Sequence, residues 1–386
     1  MSSMPIDIVE VVTPQQRTEF IHFQWVPYAN NPHWVPPLIS ERHIFLDKTQ
    51  HPFHRHSEVA LFMARRSGQT VGTIAAIINN RHNEAHAENI GFFGLFECIK
   101  DYAVAERLLS TARDWVKARG KTAIRGPMNY SVNEECGLLV DAFDSPPCIL
   151  MTYNPPYYKD FIEQFGFVKT MDLLQLHVDV AKIPDAEKAM DPRLVRVTKK
   201  LQERHKITVR PVSLKRFDQE VAIIKSLYAQ AWEKNWGNVP MTDAEIDYLG
   251  HNLKQFVDPD LVLIAEANGI PVGLALCLPD MNIPLRKAYP RPGVPEWWTL
   301  IKMFYYWKVR KEIDTLRVVL LGVLEKHRRQ GIEALLYMAV ARYALPKGIH
   351  KAECGWVLEN NDLMKNGIEG VGGRVSKTFR VYSMPI

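Results

Sequence analysis

The segment from residue 314 to residue 345 constrains the fold more than any other part of the chain. Residues 316–324 are almost wholly apolar and rich in β-branched side chains, which predicts a strand buried on both faces. A short basic loop with one glycine, Gly331, follows, and apolar residues then recur at helical spacing. A helix that begins after such a loop presents free backbone N–H groups at the positive end of its dipole. The segment therefore predicts an anion site, most naturally for a phosphate or pyrophosphate.

Two sequence blocks in this region resemble the GNAT acyltransferase superfamily. Residues 328–336, RRQGIEALL, are similar to the loop R-x-x-G-x-G/A that binds the pyrophosphate of coenzyme A. Asn361, followed by the glycine-rich stretch 370–373, is similar to the next block of the family, a helix that an asparagine opens and a glycine ends. The sequence departs from the family twice: Glu333 replaces the second glycine, and Ile368 stands where many members carry the tyrosine that protonates the leaving thiolate. An ordinary β-α unit of an α/β domain is the alternative.

The resemblance implies that the C-terminal half binds acyl-CoA, or an acyl carrier protein, as co-substrate. The residues that it places at the coenzyme are Leu324, Arg328, Arg329, Gln330, Gly331, Ile332, Ala334 and Asn361. In the family a backbone N–H of the strand before the loop stabilises the tetrahedral oxyanion, and Val323 occupies that position here. Gly322 is a candidate bulge that would separate this strand from its neighbour and admit the pantetheine arm.

The reaction also needs a base, because an amine with a pKa of roughly 10 must lose a proton before or during its attack on the thioester. Glu359, at the mouth of the strand that follows the helix, is our first candidate, and Glu353 on the same strand is the second. With Ile368 in the tyrosine position, protonation of the thiolate passes to water or to another residue. Tyr382 and Tyr130 are candidates for that role.

Length and composition indicate a globular protein of two domains. The chain has 386 residues, of which 47% are apolar and 24% charged. No apolar run approaches the roughly 18 residues that span a bilayer, and residues 1–19 lack the apolar core of a signal peptide. The five cysteines are scattered without a C-x-x-C pair. We therefore expect reduced thiols and a cytoplasmic location.

The chain also repeats itself at a constant offset of 201 residues. Residues 64–72 match residues 265–273, with Gly68 corresponding to Gly269, and each copy predicts a strand, a tight glycine turn and a second strand. This favours an α/β protein of two tandem GNAT-like domains, each a mixed twisted sheet flanked by helices. We assign residues 1–185 to a degenerate domain on the acceptor side, 186–206 to a basic linker helix and 207–386 to the domain that binds the acyl thioester.

The two halves differ where the phosphate loop should lie. The corresponding stretch of the first half carries Glu97 and Asp101, which would repel a pyrophosphate, so we expect this half to have lost coenzyme binding. Its informative stretch is instead residues 125–137, a string of hydrogen-bonding side chains typical of loops over a site. The candidate acceptor-binding residues are Asn129, Ser131, Asn133 and Glu134. A turn capped by these side chains is the alternative.

Charge and histidine placement bear on possible partners. Residues 193–216 contain nine Lys or Arg and one acid, which suits an anionic lipid surface, the phosphates of coenzyme A or an acidic carrier protein. A solvated linker helix is the alternative. No nucleic-acid recognition motif accompanies the basic residues, so we expect no nucleic-acid partner. The loop histidines at 51, 54, 56, 82 and 86 are irregularly spaced, and we expect no metal cofactor.

Residues 295–311, PEWWTLIKMFYYWKVRK, predict a helix with apolar side chains on several faces. Three interpretations remain open: packing between the two halves, the wall of a long acyl-chain pocket, or an interfacial helix at a membrane. The helix and the basic segment favour a large apolar acceptor bound in a cleft between the halves.

The function that we expect is transfer of an acyl group to the amine of a lipid or another large apolar acceptor. The layout is similar to that of bacterial ceramide synthases, which are GNAT-like and acylate a sphingoid-base amine. Such an enzyme would be cytoplasmic and could contact the inner face of an anionic membrane peripherally. The alternatives are an acetyltransferase of a small soluble amine and a non-catalytic GNAT-like protein that binds ligands.

Overall fold

Two compact units make up the protein in the computed structural model. Unit 1 comprises Met1–Leu173, Pro284–Arg310 and Lys377–Ile386, and unit 2 comprises Leu174–Ile283 and Lys311–Ser376. The structure describes residues 4–181, 195–196, 199–200, 202–203, 206–233, 235–254, 256–328 and 330–386. Most of the expected linker helix 186–206, and Arg329 of the phosphate loop, therefore lie outside the described residues.

The helices and strands are numbered in chain order over the described residues. The strands are β1 (Ile6–Glu10), β2 (Ser57–Arg66), β3 (Gln69–Asn79), β4 (Ile90–Cys98), β5 (Ala123–Gly126), β6 (Leu138–Leu139), β7 (Val168–Asp179), β8 (Ile207–Pro211), β9 (Val262–Ala267), β10 (Ile270–Pro279), β11 (Thr315–Val323), β12 (Lys351–Leu358) and β13 (Arg374–Pro385). The helices are α1 (Pro14–His22), α2 (Ile39–Phe45), α3 (Asn80–His86), α4 (Tyr102–Lys117), α5 (Tyr157–Phe165), α6 (Phe217–Ala231), α7 (Asp243–Leu253), α8 (Asn282–Ala288), α9 (Glu296–Phe304), α10 (Ile332–Ala344) and α11 (Asp362–Glu369).

The sheet of unit 1 mixes antiparallel and parallel pairs. Strands β1, β2, β3 and β4 are antiparallel neighbours, and β4 then pairs with β5 in parallel. The C-terminal part of β13 adds to β5 in antiparallel register, with Tyr382 opposite Gly126. Helix α4 covers one face through Val104, Leu108 and Ala112, which are fully buried. Parallel pairing of β4 and β5 requires such a crossover helix between them.

Unit 2 repeats the same pattern. Strands β8, β9, β10 and β11 are antiparallel neighbours, and β11 pairs with β12 in parallel across helix α10. Ile332, Leu335 and Leu336 of α10 are buried in the core against this sheet. The predicted fold of two tandem GNAT-like domains is therefore confirmed.

The two glycine turns that revealed the repeat are the hairpins β2–β3 and β9–β10. In the first, Ser67 and Gly68 have φ of 51° and 78°; in the second, Asn268 and Gly269 have φ of 52° and 77°. Two successive residues with positive φ form the hairpin turn whose twist matches that of the flanking strands, and glycine adopts this conformation without steric cost. Equal local geometry at equal spacing explains why the repeat is visible in the sequence.

Helix α9 is exposed rather than packed in a core. It ends in a π-helical turn, Tyr305–Val309, and belongs to unit 1. Thr299 and Met303 are buried, whereas Trp297 and Phe304 are 63% and 57% exposed. Large apolar side chains of this helix are therefore exposed in the structure.

Two further expectations concern the membrane and the cysteines. Within the residues that the structure describes, every helix is too short or too polar to traverse a bilayer. All five cysteines are buried and unbonded to one another.

Candidate active site

An open wedge between two parallel strands of unit 2 is the main feature of the candidate site. Strands β11 and β12 pair from Thr315 and Lys351 as far as Val318 and Cys354, and pairing then stops although both strands continue. In the antiparallel register with β10, Val319 is an extra residue between Val318 and Leu320. Such a bulge bends its strand. Strand β11 thus turns away from β12 at the residue where their pairing ends.

The sequence had indicated a bulge at Gly322, but the structure places the bulge at Val319 instead. Gly322 pairs regularly with Leu274 of β10, and a Cβ atom built on it would lie 2.7 Å from the indole ring of Trp232. The glycine is thus required by the close approach of Trp232 to the strand. A glycine within a strand can mark either a bulge or the close approach of a neighbouring group, and the sequence alone does not distinguish the two.

Every second backbone N–H group in the last part of β11 points into the wedge. The N–H of Leu324 donates to the carbonyl oxygen of Val272 on β10, at 2.9 Å. Because successive N–H groups of a strand point to opposite sides, Val323 and Leu321 direct theirs away from β10, toward the side where β12 has separated. Val323 remains the predicted oxyanion donor, and Leu321 is a second donor closer to the end of the pairing. Leu324 has no backbone donor left for a coenzyme.

Helix α10 begins at the edge of this wedge without a side-chain cap. Gly331 precedes it with φ of 75°, and in the described part of the loop no side chain accepts from the first turn. Glycine is favoured at positive φ, and its missing side chain leaves the first N–H groups accessible to an anion. Ile332 is itself fully buried, so only its backbone can face a ligand; Ala334 is half-buried.

The basic side chain of Arg328 holds the loop in place. Its Nε and Nη2 donate to the carbonyl oxygens of Val323 and Ala231, both at 3.1 Å. Gln330 donates to the carbonyl of Lys326 at 3.3 Å. Arg328 therefore fixes the loop between β11 and the end of α6, and a contact of its guanidinium with phosphate remains a prediction.

The corresponding wedge of unit 1 is filled by the chain itself. Strands β4 and β5 stop pairing after Phe92 and Arg125, but the N–H of Met128 then donates to Phe93, and the N–H of Leu95 to the side chain of Asn129, both at 2.8 Å. A Cβ atom on Gly94 would lie 2.1 Å from the carbonyl oxygen of Met128. No room is left along this strand for a pantetheine arm.

The helix start of unit 1 is also occupied. Asp101 caps α4 by accepting from the N–H of Ala103, at 3.0 Å, and its other oxygen accepts from Arg66, at 2.7 Å. Glu97, in contrast, accepts from the hydroxyls of Tyr28 and Tyr158. Loss of hydration raises the pKa of Glu97 to about 8. The expected repulsion of a pyrophosphate therefore comes mainly from Asp101, since Glu97 is largely protonated at neutral pH.

The four candidate acceptor residues belong to unit 1 and have internal contacts. Besides accepting from Leu95, Asn129 donates to Glu135 at 3.0 Å. Ser131 accepts from the N–H of Asn133 at 3.1 Å, and a carboxylate oxygen of Glu134 lies 3.6 Å from Nε2 of His51. These bonds fit the alternative of a turn capped by its own side chains. An acceptor contact at these residues stays a prediction.

Glu353, the second candidate base, has partners that the sequence did not reveal. Gln175 and His177 of β7 bring Nε2 and Nδ1 to within 2.6 and 2.7 Å of its two carboxylate oxygens. The hydrogen bond to Glu353 raises the pKa of His177. Val178, Val318 and Cys354 line a cavity beneath α10. Because side chains alternate along a strand, Glu353 and His177 lie on the opposite face of the sheet.

Glu359, the first candidate base, lies in the turn between β12 and α11 and is half-buried. Its backbone carbonyl accepts from Nζ of Lys365 at 2.6 Å. Asn361 next to it caps α11 by accepting from the N–H of Met364. The structure thus places both carboxylates on one strand and its continuation, and Asn361 in the capping role that the sequence allowed.

The structure adds one hydroxyl to the candidate proton donors for the thiolate. Tyr130 and Tyr382 are buried in unit 1, where their hydroxyls donate to the carbonyl of Phe45 and to Glu163. Ile368 is buried in the core of unit 2. Tyr337 of α10 reaches α11 instead: its hydroxyl would lie 3.5 Å from a Cβ atom on Gly367. Tyr337 is therefore the hydroxyl that lies beside the position of Ile368.

No metal site is evident in the described parts of the chain, where no group of three or more His, Cys, Asp or Glu side chains could hold an ion. His82, for example, contacts Glu88 at 2.8 Å and meets the ring of Phe92 edge to face. Burial lowers the pKa of His82 to about 4, so its ring is neutral at physiological pH.

Two curated relatives match the chain over nearly its whole length. A protein named bacterial ceramide synthase from Caulobacter vibrioides is 34% identical over 383 residues, which cover 98% of this chain and 97% of that protein. Protein YghO from Escherichia coli K12 is 32% identical over 375 residues, which cover 95% of this chain and 92% of that protein. No family model matches the chain.

Solved structures share the fold at low sequence identity. A tandem GNAT protein from the clavulanic acid biosynthesis pathway superposes with a TM-score of 0.56 at 11% identity, covering 99% of this chain and 98% of that one. A GCN5-related N-acetyltransferase from Sphaerobacter thermophilus gives 0.53 at 12% identity, with 99% and 97% covered. The chain therefore shares the tandem GNAT fold of these structures, and it belongs to the family that includes the protein named bacterial ceramide synthase of Caulobacter vibrioides and protein YghO of Escherichia coli.

Proposed function

We propose that this protein transfers an acyl group from acyl-CoA to the amine of a lipid, such as a sphingoid base. The observation that carries the proposal is the wedge between β11 and β12, which ends at the uncapped start of α10. A thioester with a phosphate-bearing arm fits this combination, because the wedge offers strand N–H groups and the helix offers an anion site. The relative named bacterial ceramide synthase supports a lipid amine as the acceptor.

In the proposed reaction the amine attacks the thioester carbonyl directly. The N–H groups of Val323 and Leu321 stabilise the oxyanion of the tetrahedral intermediate. Glu359 or the Glu353–His177 pair removes the proton from the amine, and Tyr337 or water returns one to the thiolate of the leaving coenzyme. The coenzyme phosphates bind the loop from Arg328 to Ala334.

The two faces of the sheet differ in polarity, as do the reacting amine and the acyl chain of the two proposed substrates. Glu353 and His177 form a polar pair on one face, and an apolar cavity lies on the other. In this proposal the enzyme acts in the cytoplasm and takes its lipid acceptor from the inner face of a membrane.

Substrate profiling tests the proposal. The purified protein is incubated with acyl-CoA thioesters of several lengths and with amines ranging from small polar metabolites to sphingoid bases. Mass spectrometry then detects the amide while a thiol reagent reports free CoA. We expect a long-chain amide of a lipid amine and stoichiometric CoA.

Two results would contradict the proposal in different ways. Acetylation of small amines alone would favour the acetyltransferase alternative. Binding of thioesters without thiol release from any amine would favour a non-catalytic ligand-binding protein. Acyl carrier protein replaces CoA in a parallel reaction, since both donors carry the same pantetheine arm.

A further inference from the structure

An apolar cavity that opens partly to solvent lies between α10 and the sheet of unit 2. Its walls include Val178 of β7, Val318 and Cys354 at the last paired positions of β11 and β12, and Tyr337, Val340 and Ala344 of α10. Protein interiors are normally close-packed, with few spaces larger than a water molecule. The unfilled, apolar-lined space beneath α10 is therefore a candidate ligand pocket.

The cavity begins where the wedge ends. Val318 and Cys354 are the last paired residues of the two strands, and both line the cavity. Along α10 the lining residues 337, 340, 341 and 344 form one helical stripe, and the small side chains of the alanines at 341 and 344 leave space between the helix and the sheet. A group that enters through the wedge and passes its closed end would therefore meet an apolar channel beneath α10.

We infer that this cavity binds the hydrocarbon chain of a long-chain acyl thioester. The inference rests on the proposed function and names the acyl group that the site selects. The polar Glu353–His177 pair lies on the other face of the sheet, so the chain and the attacking amine are held on different sides. A saturated chain is the ligand that such a lining accepts, because it asks for no hydrogen bonds.

Chain length is the variable that tests the inference. Each buried methylene contributes about fourfold to affinity. Titration calorimetry with CoA and a series of saturated acyl-CoA thioesters, below their micellar concentrations, should show affinity rising with length and then levelling off once the cavity is full.

Ala341→Phe fills the cavity from α10. It should move the plateau to shorter chains and leave the affinity for free CoA unchanged. Arg342→Phe is the matched control, because it adds the same ring to the same helix at an exposed position. We expect Arg342→Phe to keep the wild-type length profile.

A second measurement uses the wild-type protein and does not depend on the folding of a variant. Palmitoyl-CoA with a photoreactive group at the end of its chain should label peptides from α10 or β12. Affinity that is independent of chain length, or labelling confined to α9, would overturn the inference. Failure of CoA itself to bind would instead contradict the proposed function. Labelling of α10 would in that case still show that the cavity binds the hydrocarbon chain.

A different observation carries a second proposal, on the exposed side of α9. This helix is fixed to unit 1 by Glu296, whose carboxylate accepts from the N–H and hydroxyl of Ser40, and by the buried Thr299 and Met303. Its remaining surface is apolar and solvent-facing. The exposed large apolar residues of α9 and the following turn are Trp297, Trp298, Leu300, Ile301, Phe304, Tyr305 and Val309.

Cations lie among and after these residues. Lys302 is half-buried on the helix, Lys308 stands over the ring of Trp307 with Nζ 3.7 Å from its centroid, and Arg310 and Lys311 follow. Exposed aromatic and aliphatic side chains with interspersed cations are typical of helices that lie in the membrane interface. A contact with a second copy of the chain would bring these cations together, whereas an anionic membrane neutralises them.

We propose that α9 docks on an anionic membrane surface. Co-sedimentation of the full chain with vesicles of phosphatidylcholine, with and without phosphatidylglycerol, tests this at low and high salt. Each basic residue near the surface should contribute about fivefold to binding at low salt, and the effect should weaken as salt rises.

Trp297→Glu and Phe304→Glu should abolish sedimentation with vesicles without unfolding the protein, since both side chains are exposed. Ile270→Glu is the control: this residue, 64% exposed, lies at the start of β10 in unit 2. Absence of binding to anionic vesicles at low salt would defeat the proposal. A dimer in solution that the two α9 variants dissociate would defeat it too, because the helix would then cover a second copy.

Discussion

Arg328 is the residue whose role changed most between sequence and structure. It was expected at a phosphate, and its guanidinium in fact joins two backbone carbonyls of unit 2. Both roles are compatible, since a loop must be held in shape before its N–H groups can receive an anion. If the proposed coenzyme binds this loop, Arg328 therefore acts on it directly or by holding the loop in shape.

Replacing both Arg328 and Arg329 by Glu should weaken binding of acyl-CoA by about 2 kcal/mol, or roughly 30-fold, because charged donors are lost and the loop is released. Titration calorimetry measures the affinity. Lys326→Glu, an exposed residue of the same loop, is the charge-matched control and should have a smaller effect. Unchanged affinity in the double variant would remove the phosphate site from this loop.

The two candidate bases give different pH profiles. If Glu359 is the base, Glu359→Gln lowers kcat by about 10²–10⁴ and leaves thioester affinity nearly intact. If the Glu353–His177 pair acts, activity rises with pH through the raised pKa of His177, because the imidazole must be neutral to accept a proton.

Glu353→Gln should then shift that limb of the kcat/KM profile to lower pH, because the carboxylate that raises the pKa of His177 is gone. A wild-type profile in Glu353→Gln, together with a large loss of kcat in Glu359→Gln, would assign the base to Glu359. A normal rate in both variants would exclude the two carboxylates.

We expect Glu97 to make the stability of the protein depend on pH. Its pKa of about 8 in the folded protein lies above that of an exposed carboxyl, so the folded state binds the proton more tightly. The contribution of Glu97 to stability is therefore full at acidic pH, below its unfolded pKa, and declines as pH rises toward 8.

Glu97→Gln should flatten this decline, since the amide keeps the shape but does not ionise. Urea unfolding between pH 5 and 8 measures it, with a slope for wild type of at most about 1.4 kcal/mol per pH unit. A slope that the substitution leaves unchanged would assign the pH dependence to other groups.

At the scale of elements, the corresponding helices α4 and α10 begin differently. Asp101 and Arg66 occupy the start of α4, whereas Gly331 leaves the start of α10 open in its described part. A carboxylate at a helix N-terminus stabilises the helix through the same N–H groups that would otherwise bind an anion. Helix α4 is thus stabilised at its start by a side chain, whereas the described part of the start of α10 has no such cap.

Asp101→Ala should lower the free energy of unfolding by about 1 kcal/mol, the usual contribution of such a cap. It should leave acyl-CoA affinity unchanged, because the proposed coenzyme site lies in unit 2. Thermal unfolding and calorimetry measure the two effects on the same preparation. A change in coenzyme affinity would mean that unit 1 takes part in its binding.

At the scale of the whole molecule, two units of one fold carry unequal sites. The wedge of unit 2 is open, and that of unit 1 is filled by Met128 and Asn129. We therefore expect one acyl-CoA per chain. Calorimetry or native mass spectrometry should give a stoichiometry of one, and two bound coenzymes would show that residues 127–129 can leave the wedge of unit 1.

Each unit is built from segments that are not contiguous in the sequence. Unit 1 includes Pro284–Arg310 and Lys377–Ile386 from the second half of the sequence, and unit 2 begins at Leu174 within β7. An internal repeat reveals that two similar domains exist, but it does not reveal which copy a given segment joins.

The sequence by itself determined the parts of this protein that depend on neighbouring residues. The strand, loop and helix of residues 314–345 and the two hairpins follow from apolar periodicity and from glycine at positive φ. Both are local properties, so they can be recognised from the sequence of neighbouring residues. They were sufficient to identify the fold and the half of the chain that carries the candidate coenzyme site.

Only the tertiary structure decided the details of that site. The bulge at Val319 depends on register with β10, and the contact between His177 and Glu353 joins residues 176 positions apart. The exposure of α9 likewise depends on what other segments leave uncovered. Register, pairing and burial are set by distant partners, and a single sequence does not record which distant residues meet.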